Sequence, residues 1–318
     1  MTRLGYQIPN FTYPGVSADQ LYPTIVAQAV EAEASGFDTV LVMDHFYQLP
    51  LLGTPDQEMI ECYTLLSALA QHTKRVRLSS LVTGNTYRNP TLLAKTVTAL
   101  DLVSGGRAQL GIGAGWYEFE HQSLGYEFGT FTDRFQKLEE ALQIILGMLR
   151  SEKPTLDGKW YTVHEALNVP APLSKIPVMI GGGGEKKTLR MVAQYADESN
   201  IICGPGEIGR KLDALAAHCE TYGRDPADIT VTLQTSACIA PTHDEAVAEL
   251  DAYFQRNPAA EPRRGTTIVG DPDEVAGAYE ALKVAGLDGF TVNAPANGHV
   301  PGRVSLLGET LAKVVPSH

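Results

Sequence analysis

The chain has 318 residues, 44% hydrophobic and 19% charged, with 30 Gly and 19 Pro. Glycine and proline stand only slightly above average usage, which excludes collagen-like and low-complexity classes, and a chain of this length buries about three-quarters of the surface its unfolded form exposes. Twenty-five basic against 37 acidic residues give a net charge of −12, which disfavours nucleic acid or an anionic membrane as the main partner.

The opening residues, MTRLGYQIPNFTYPG, lack the basic start and apolar stretch of a secretory signal. No apolar run approaches the ~20 residues of a membrane helix. Cys62, Cys203, Cys219 and Cys238 lie far apart without a CxxC pair, so reduced thiols and a cytoplasmic location are expected.

Short β-rich runs follow one another along the chain at 3–8, 38–43, 76–83, 107–114, 176–181, 198–203, 229–238 and 288–293. Between them apolar residues recur at helical spacing, as at Leu21, Ile25, Val26, Ala29 and Val30, and later at Leu138, Ala141, Leu142, Ile145 and Leu149. Strands alternating with helices predict βαβ units and a parallel sheet. The strands are near-continuously apolar, as strands covered on both faces should be. Eight strand–helix units point to an α/β fold closed as a single (β/α)8 barrel, a TIM barrel, rather than an open doubly wound sheet. The surplus length falls after strands 4 and 7, in 117–175 and 240–287, which read as insertions; no linker divides the chain, so 1–318 is one domain.

In such a barrel function gathers at the carboxyl ends of the strands. That rim reads Pro9-Asn10, Asp44-His45, Thr83-Gly84-Asn85, Gly115-Trp116, Gly181 to Gly184, Cys203-Gly204, Gln234-Thr235 and Asn293. His45, with Asp44 before it, is the candidate proton carrier; the plain alternative is a histidine satisfied by a carbonyl. No His-x-His follows the first strand, which speaks against a metal site.

The run GGGGEKK (181–187) ends the fifth strand and opens a helix. Glycines let backbone amides approach an anion, and a helix start adds free N–H groups. Lys186, Lys187 and Arg190 make the spot locally basic, so a phosphate cradle competes with a tight turn carrying solvated lysines. GIGAG (111–115) is no GxGxxG fingerprint; it reads as a strand end where a flat ligand comes close. Trp116 is either a wall against a ring system or a core residue. Glu118 and Glu120 are expected to be solvated, although Glu120 or His121 could reach the pocket. Thr130 or Thr132 is expected to cap the helix that follows.

VMDHF (42–46), LVTGNTYRNPTLLAKTVTALDLVSGGRAQLGIGAGW (81–116), FGTFTDRFQKLEEAL (128–142), PVMIGGGGEKKTL (177–189) and GDPDEV…AGLDGFTVN (270–293) together resemble the bacterial luciferase-like superfamily. Within it they are most similar to the oxidoreductases of actinobacteria that use the deazaflavin coenzyme F420. The resemblance runs through nearly the whole chain. It implies a cofactor lying across the carboxyl face of the barrel, touched by Asp44, Ser80, Leu81, Thr83, Ala114, Gly115 and Trp116, with Gly183, Gly184, Lys186 and Lys187 around its tail phosphate. It also implies His45 as proton donor, a non-prolyl cis peptide at Ser80-Leu81, and a homodimer. The sugar-phosphate dehydrogenases of this family carry a catalytic glutamate where Trp116 stands, and their substrate-phosphate lysine falls around Pro205; both departures argue against glucose 6-phosphate. Hydride exchange between F420 and an organic small molecule is therefore the leading expectation. An FMN-dependent monooxygenase is the alternative, followed by a non-catalytic flavin-binding protein and a metal-dependent hydrolase.

Overall fold

The computed structural model describes residues 1–315. Eight parallel strands close on themselves: β1 (Leu4–Ile8), β2 (Thr39–Val42), β3 (Arg77–Ser80), β4 (Ala108–Gly113), β5 (Val178–Gly181), β6 (Glu198–Ile201), β7 (Thr230–Ile239) and β8 (Gly289–Asn293). Each pairs with its neighbour in sequence, and β8 returns to β1 through Leu4↔Phe290 to Gln7↔Asn293. Every expected run supplies one barrel strand. The expected run 76–83 is shorter than anticipated, because β3 stops at Ser80 and Thr83–Gly84 then pairs with Ile112–Gly113 of β4.

The surrounding helices are α1 (Ala18–Ala34), α2 (Cys62–Leu69), α3 (Pro90–Ser104), α4 (Glu118–Leu124), α5 (Phe131–Leu149), α6 (Thr188–Tyr195), α7 (Ile208–Tyr222), α8 (His243–Arg256), α9 (Pro272–Lys283) and α10 (Arg303–Val314). Their starts follow local chemistry. Asn89 accepts from Thr91 N ahead of Pro90 at the first turn of α3, and Gly105 closes that helix at φ 71. Thr130 and Asp133 form a reciprocal capping box on α5, and Asp271 and Glu274 form another on α9.

The stretch after β4 holds α4, α5 and a two-stranded hairpin, Leu156–Asp157 with Thr162–Val163. Since α5 packs beside α3 in the outer ring, only part of that stretch is added to the barrel. The stretch after β7 holds α8, a 3-10 segment at Pro258–Thr266, the short strand Thr267–Gly270 on the end of β7, and α9. A third long connection, residues 43–61 between β2 and α2, has no regular structure and crosses the mouth. Tyr253 OH donates to Leu52 O at 3.1 Å, and Gln57 Nε2 to Asn257 Oδ1 at 3.2 Å, so this loop is tied to α8.

Candidate active site

The carboxyl face is built around a break in β3. The peptide between Leu81 and Val82 is cis, one residue beyond the Ser80-Leu81 bond that the resemblance implies. Ser80 and Thr83 are fully buried, in the barrel wall and not on the open surface of the mouth. Ser80 Oγ donates to Gly111 O at 2.8 Å and lies 2.7 Å from Thr83 Oγ1, which is 2.6 Å from Tyr63 OH. These hydroxyls satisfy one another within the barrel wall. Leu81 and Val82 are half-buried at the mouth instead.

Three glycines accept that bulge. A Cβ on Gly181 would lie 2.7 Å from Val82 Cγ1, one on Gly113 3.0 Å from Val82 Cγ2, and one on Gly111 only 2.0 Å from Ser80 O. The strand ends therefore present a shelf carrying Leu81 and Val82 and little else, which suits the flat face of a ring system. Ala114 and Gly115, half-buried, continue it. Gly115 takes φ 81, and a Cβ there would meet Thr86 Oγ1 at 2.7 Å. Trp116 stands at the edge with 59% exposure.

At the end of β2 the two members of the Asp44-His45 pair do different jobs. Asp44 is buried, with Arg88 Nη1 on Oδ2 at 2.6 Å, Arg88 Nη2 on Oδ1 at 2.9 Å, and Gly84 N–H on Oδ2 at 3.2 Å. Burial pushes its carboxyl up against the pull of Arg88. Both Asp44 oxygens are thus engaged by the protein, which fixes the carboxylate at the end of β2 beside His45. His45 is half-buried, its Nδ1 lies 3.0 Å from Glu120 Oε2, and its ring meets the edges of Trp116 and Tyr117 with centroids 5.9 Å away in each case.

Glu120 corrects the expectation of a solvated loop acid. It sits on α4, fully buried, where it accepts from His45, Phe46 N–H, Tyr47 N–H and Tyr87 OH. Burial pushes its carboxyl up, but the hydrogen bonds from His45, Tyr87 and Tyr47 hold it below the ordinary glutamate value. His121 is also buried. Its Nδ1 faces Tyr117 O at 2.7 Å and its Nε2 lies 2.6 Å from Thr86 Oγ1. Because a carbonyl only accepts, Nδ1 carries the hydrogen and Nε2 takes the Thr86 hydroxyl, which leaves His121 no nitrogen for a ligand.

The glycine-rich turn expected to meet a phosphate joins β5 to α6 and lies near the start of α5. Gly182 has φ 125, and a Cβ on Gly183 would lie 2.6 Å from Ile202 O. Gly184 and Lys186 are exposed, and no side chain caps α6, although Leu189 N–H in its first turn donates to Gly184 O at 3.0 Å. Lys187 rests over Phe131 and Phe135 at 4.9 and 5.3 Å. Arg190, expected to add basic charge, is paired with Glu139 at 2.8 Å. Arg134, not anticipated, compensates: it donates to Gly115 O at 3.1 Å and Gly129 O at 3.0 Å, over the Phe128 ring at 3.8 Å, and has no carboxylate partner among the described residues. A shelf carrying only Leu81 and Val82, leading to a glycine-rich turn beside Lys186, Lys187 and Arg134, fits a flat cofactor with an anionic tail.

A second unanticipated cation, Arg263 of the 3-10 segment, reaches Ser236 Oγ at 2.6 Å. Ser236 donates to Asn293 Oδ1 at 2.6 Å, Asn293 Nδ2 to Gln7 Oε1 at 2.8 Å, and Gln7 Nε2 to Leu81 O at 3.3 Å. This polar layer links Arg263 to the shelf. Arg263, too, has no carboxylate partner among the described residues, and burial lowers its pKa.

A profile of luciferase-like monooxygenases matches residues 2–292. The chain belongs to this luciferase-like family. It is 26% identical over 330 residues to an F420-dependent glucose-6-phosphate dehydrogenase of Amycolatopsis mediterranei, covering 94% of each chain. Among solved structures, an F420-dependent secondary alcohol dehydrogenase holding an F420–acetone adduct superposes with TM-score 0.82 at 21% identity over 99% of both chains. The monooxygenase RslO1 of Streptomyces bottropensis does so with TM-score 0.81 at 16% identity, over 98% of this chain and 99% of its own. At those identities the structures establish the luciferase-like fold.

Proposed function

We propose that this chain is an F420-dependent oxidoreductase that exchanges a hydride with a small organic molecule, His45 carrying the accompanying proton. The observation that carries the reading is the placement of His45, held by a buried carboxylate, at the rim of a glycine-lined shelf that ends in a cationic cradle. When bound, the deazaflavin supplies a two-electron hydride donor or acceptor. Leu81, Val82, Ala114 and Gly115 would hold its ring, and Gly183, Gly184, Lys186, Lys187 and Arg134 its tail phosphate. His45 Nε2 has no protein partner among the described residues and stands ready for the substrate. Full-length similarity to an F420-dependent relative supports this cofactor over FMN.

Glucose 6-phosphate is not the substrate we favour. Trp116 and Pro205 occupy the places where the resemblance calls for a glutamate and a lysine, and Trp116 offers an exposed indole in their stead. Arg263 supports an acidic group on the substrate.

Purified protein titrated with F420 and with FMN, followed by fluorescence, tests the reading. Binding of F420 in preference to FMN is expected. Tight FMN binding without F420 affinity overturns it and favours the monooxygenase alternative.

A further inference from the structure

We infer that Glu120 is the positioning residue of the proton transfer, fixing His45 in the tautomer that carries hydrogen on Nδ1 and leaves the Nε2 lone pair to the substrate. The inference rests on the reading of His45 as the proton carrier, and it concerns a residue on a different element, 75 positions away.

The argument is one of donors and acceptors. Glu120 Oε1 receives Phe46 N–H and Tyr47 N–H, the latter at 2.8 Å, and Oε2 receives Tyr87 OH and faces His45 Nδ1 at 3.0 Å. An ionised carboxylate accepts only, so the hydrogen between Glu120 and His45 belongs to Nδ1. The neutral imidazole then has its lone pair on Nε2. In substrate oxidation the substrate's O–H bond breaks and its proton goes to Nε2, while the C–H electron pair leaves with the hydride to the cofactor. In reduction Nε2–H returns that proton to the substrate oxygen as the hydride arrives at carbon. The rings of Trp116 and Tyr117 against His45 keep the imidazole in one orientation.

Glu120→Gln separates this from a merely structural role. The two backbone amides of Phe46 and Tyr47 can only donate, so they claim the single oxygen of glutamine. Its NH2 group then faces His45 Nδ1, which must become an acceptor, and the hydrogen moves to Nε2. The experiment is ¹⁵N NMR of histidine-labelled full-length protein above the histidine titration range, with and without bound F420, the His45 signals being assigned by their loss in His45→Asn.

Wild-type protein should show Nδ1–H and E120Q should show Nε2–H. E120Q should also lose about 10²-fold or more in kcat, the scale of general acid–base catalysis, while binding F420 as before. An averaged or Nε2–H pattern in the wild type, or an unchanged pattern in E120Q, overturns the inference. Should E120Q not fold, the wild-type pattern decides. Turnover by His45→Ala at the wild-type rate would instead overturn the role of His45, whatever the tautomer.

Discussion

Arg88 holds both carboxylate oxygens of Asp44, at 2.6 and 2.9 Å, and its Nη2 also reaches Glu61 Oε1 at 2.6 Å. The acid beside His45 is thereby tied to the segment that opens α3. Removing one member of a buried pair strands the other without compensation, which costs about 3–5 kcal/mol. Arg88→Met should therefore lower the urea-unfolding free energy by about that amount. In the Asp44→Asn/Arg88→Met double variant the losses should fall short of additive by about 1–3 kcal/mol, because neither charge is left alone. A loss under ~1 kcal/mol for R88M would show the pair to be structurally idle.

The glycines against the Ser80–Val82 bulge give a ranked prediction. Gly111→Ala sets a methyl 2.0 Å from a backbone oxygen, whereas Gly181→Ala meets a valine methyl at 2.7 Å. Backbone yields less than a side chain, so G111A should destabilise more than G181A, which should cost about 1–3 kcal/mol as an overpacked site. Gly209, in α7, has open space where a methyl would go, with nothing within 4 Å. It is the control, where alanine should be neutral or stabilising by up to about 1 kcal/mol. Thermal melts of the three variants give the order directly. G181A should also weaken cofactor binding, since Val82 has to shift on the shelf.

The barrel is legible in the sequence because each strand is a short apolar run between helical periods, as TVLV of β2 is, and such runs need no long-range information. The break in β3 falls one residue later than the resemblance implies. There Val82 lies against Gly113 and Gly181, on strands far away in sequence, and no local pattern records that fit. Glu120 escapes notice as a partner of His45 for a similar reason, although a helical reading of 118–124 would have helped. At about 100° per residue, Glu118 and Glu120 lie on opposite faces of α4, and the structure has the first exposed and the second buried. Arg134 and Arg263 carry no signal, because an arginine facing a ligand site and one facing solvent look alike until the opposing acids are located.

The cationic cradle predicts salt-sensitive binding. Lys186 is exposed and Arg134 lacks a carboxylate among the described residues, so both are free to meet an anionic tail. A charge-assisted hydrogen bond is worth about 1.5–3 kcal/mol. Arg134→Met should weaken F420 binding by about tenfold to a hundredfold, and Lys186→Ala by less because its side chain is more exposed and more screened. Both variants should flatten the dependence of affinity on ionic strength. Affinity unchanged in R134M would place the tail elsewhere.

His121 predicts how stability depends on pH. Burial holds its imidazole below the ordinary value of 6.5, so the unfolded chain takes up a proton at a higher pH than the native one. A depressed folded pKa contributes stability that is complete above 6.5 and is lost as pH falls through the folded value. The native contacts agree, because Thr86 donates to Nε2 and that nitrogen must stay unprotonated. Urea midpoints should therefore drop from about pH 7 to about pH 5, with part of the slope belonging to His299, which burial shifts the same way. His121→Asn, which can still donate to Tyr117 O, should show a shallower slope than the wild type. Parallel slopes in the two proteins would mean that His121 accepts its proton without disturbing the fold.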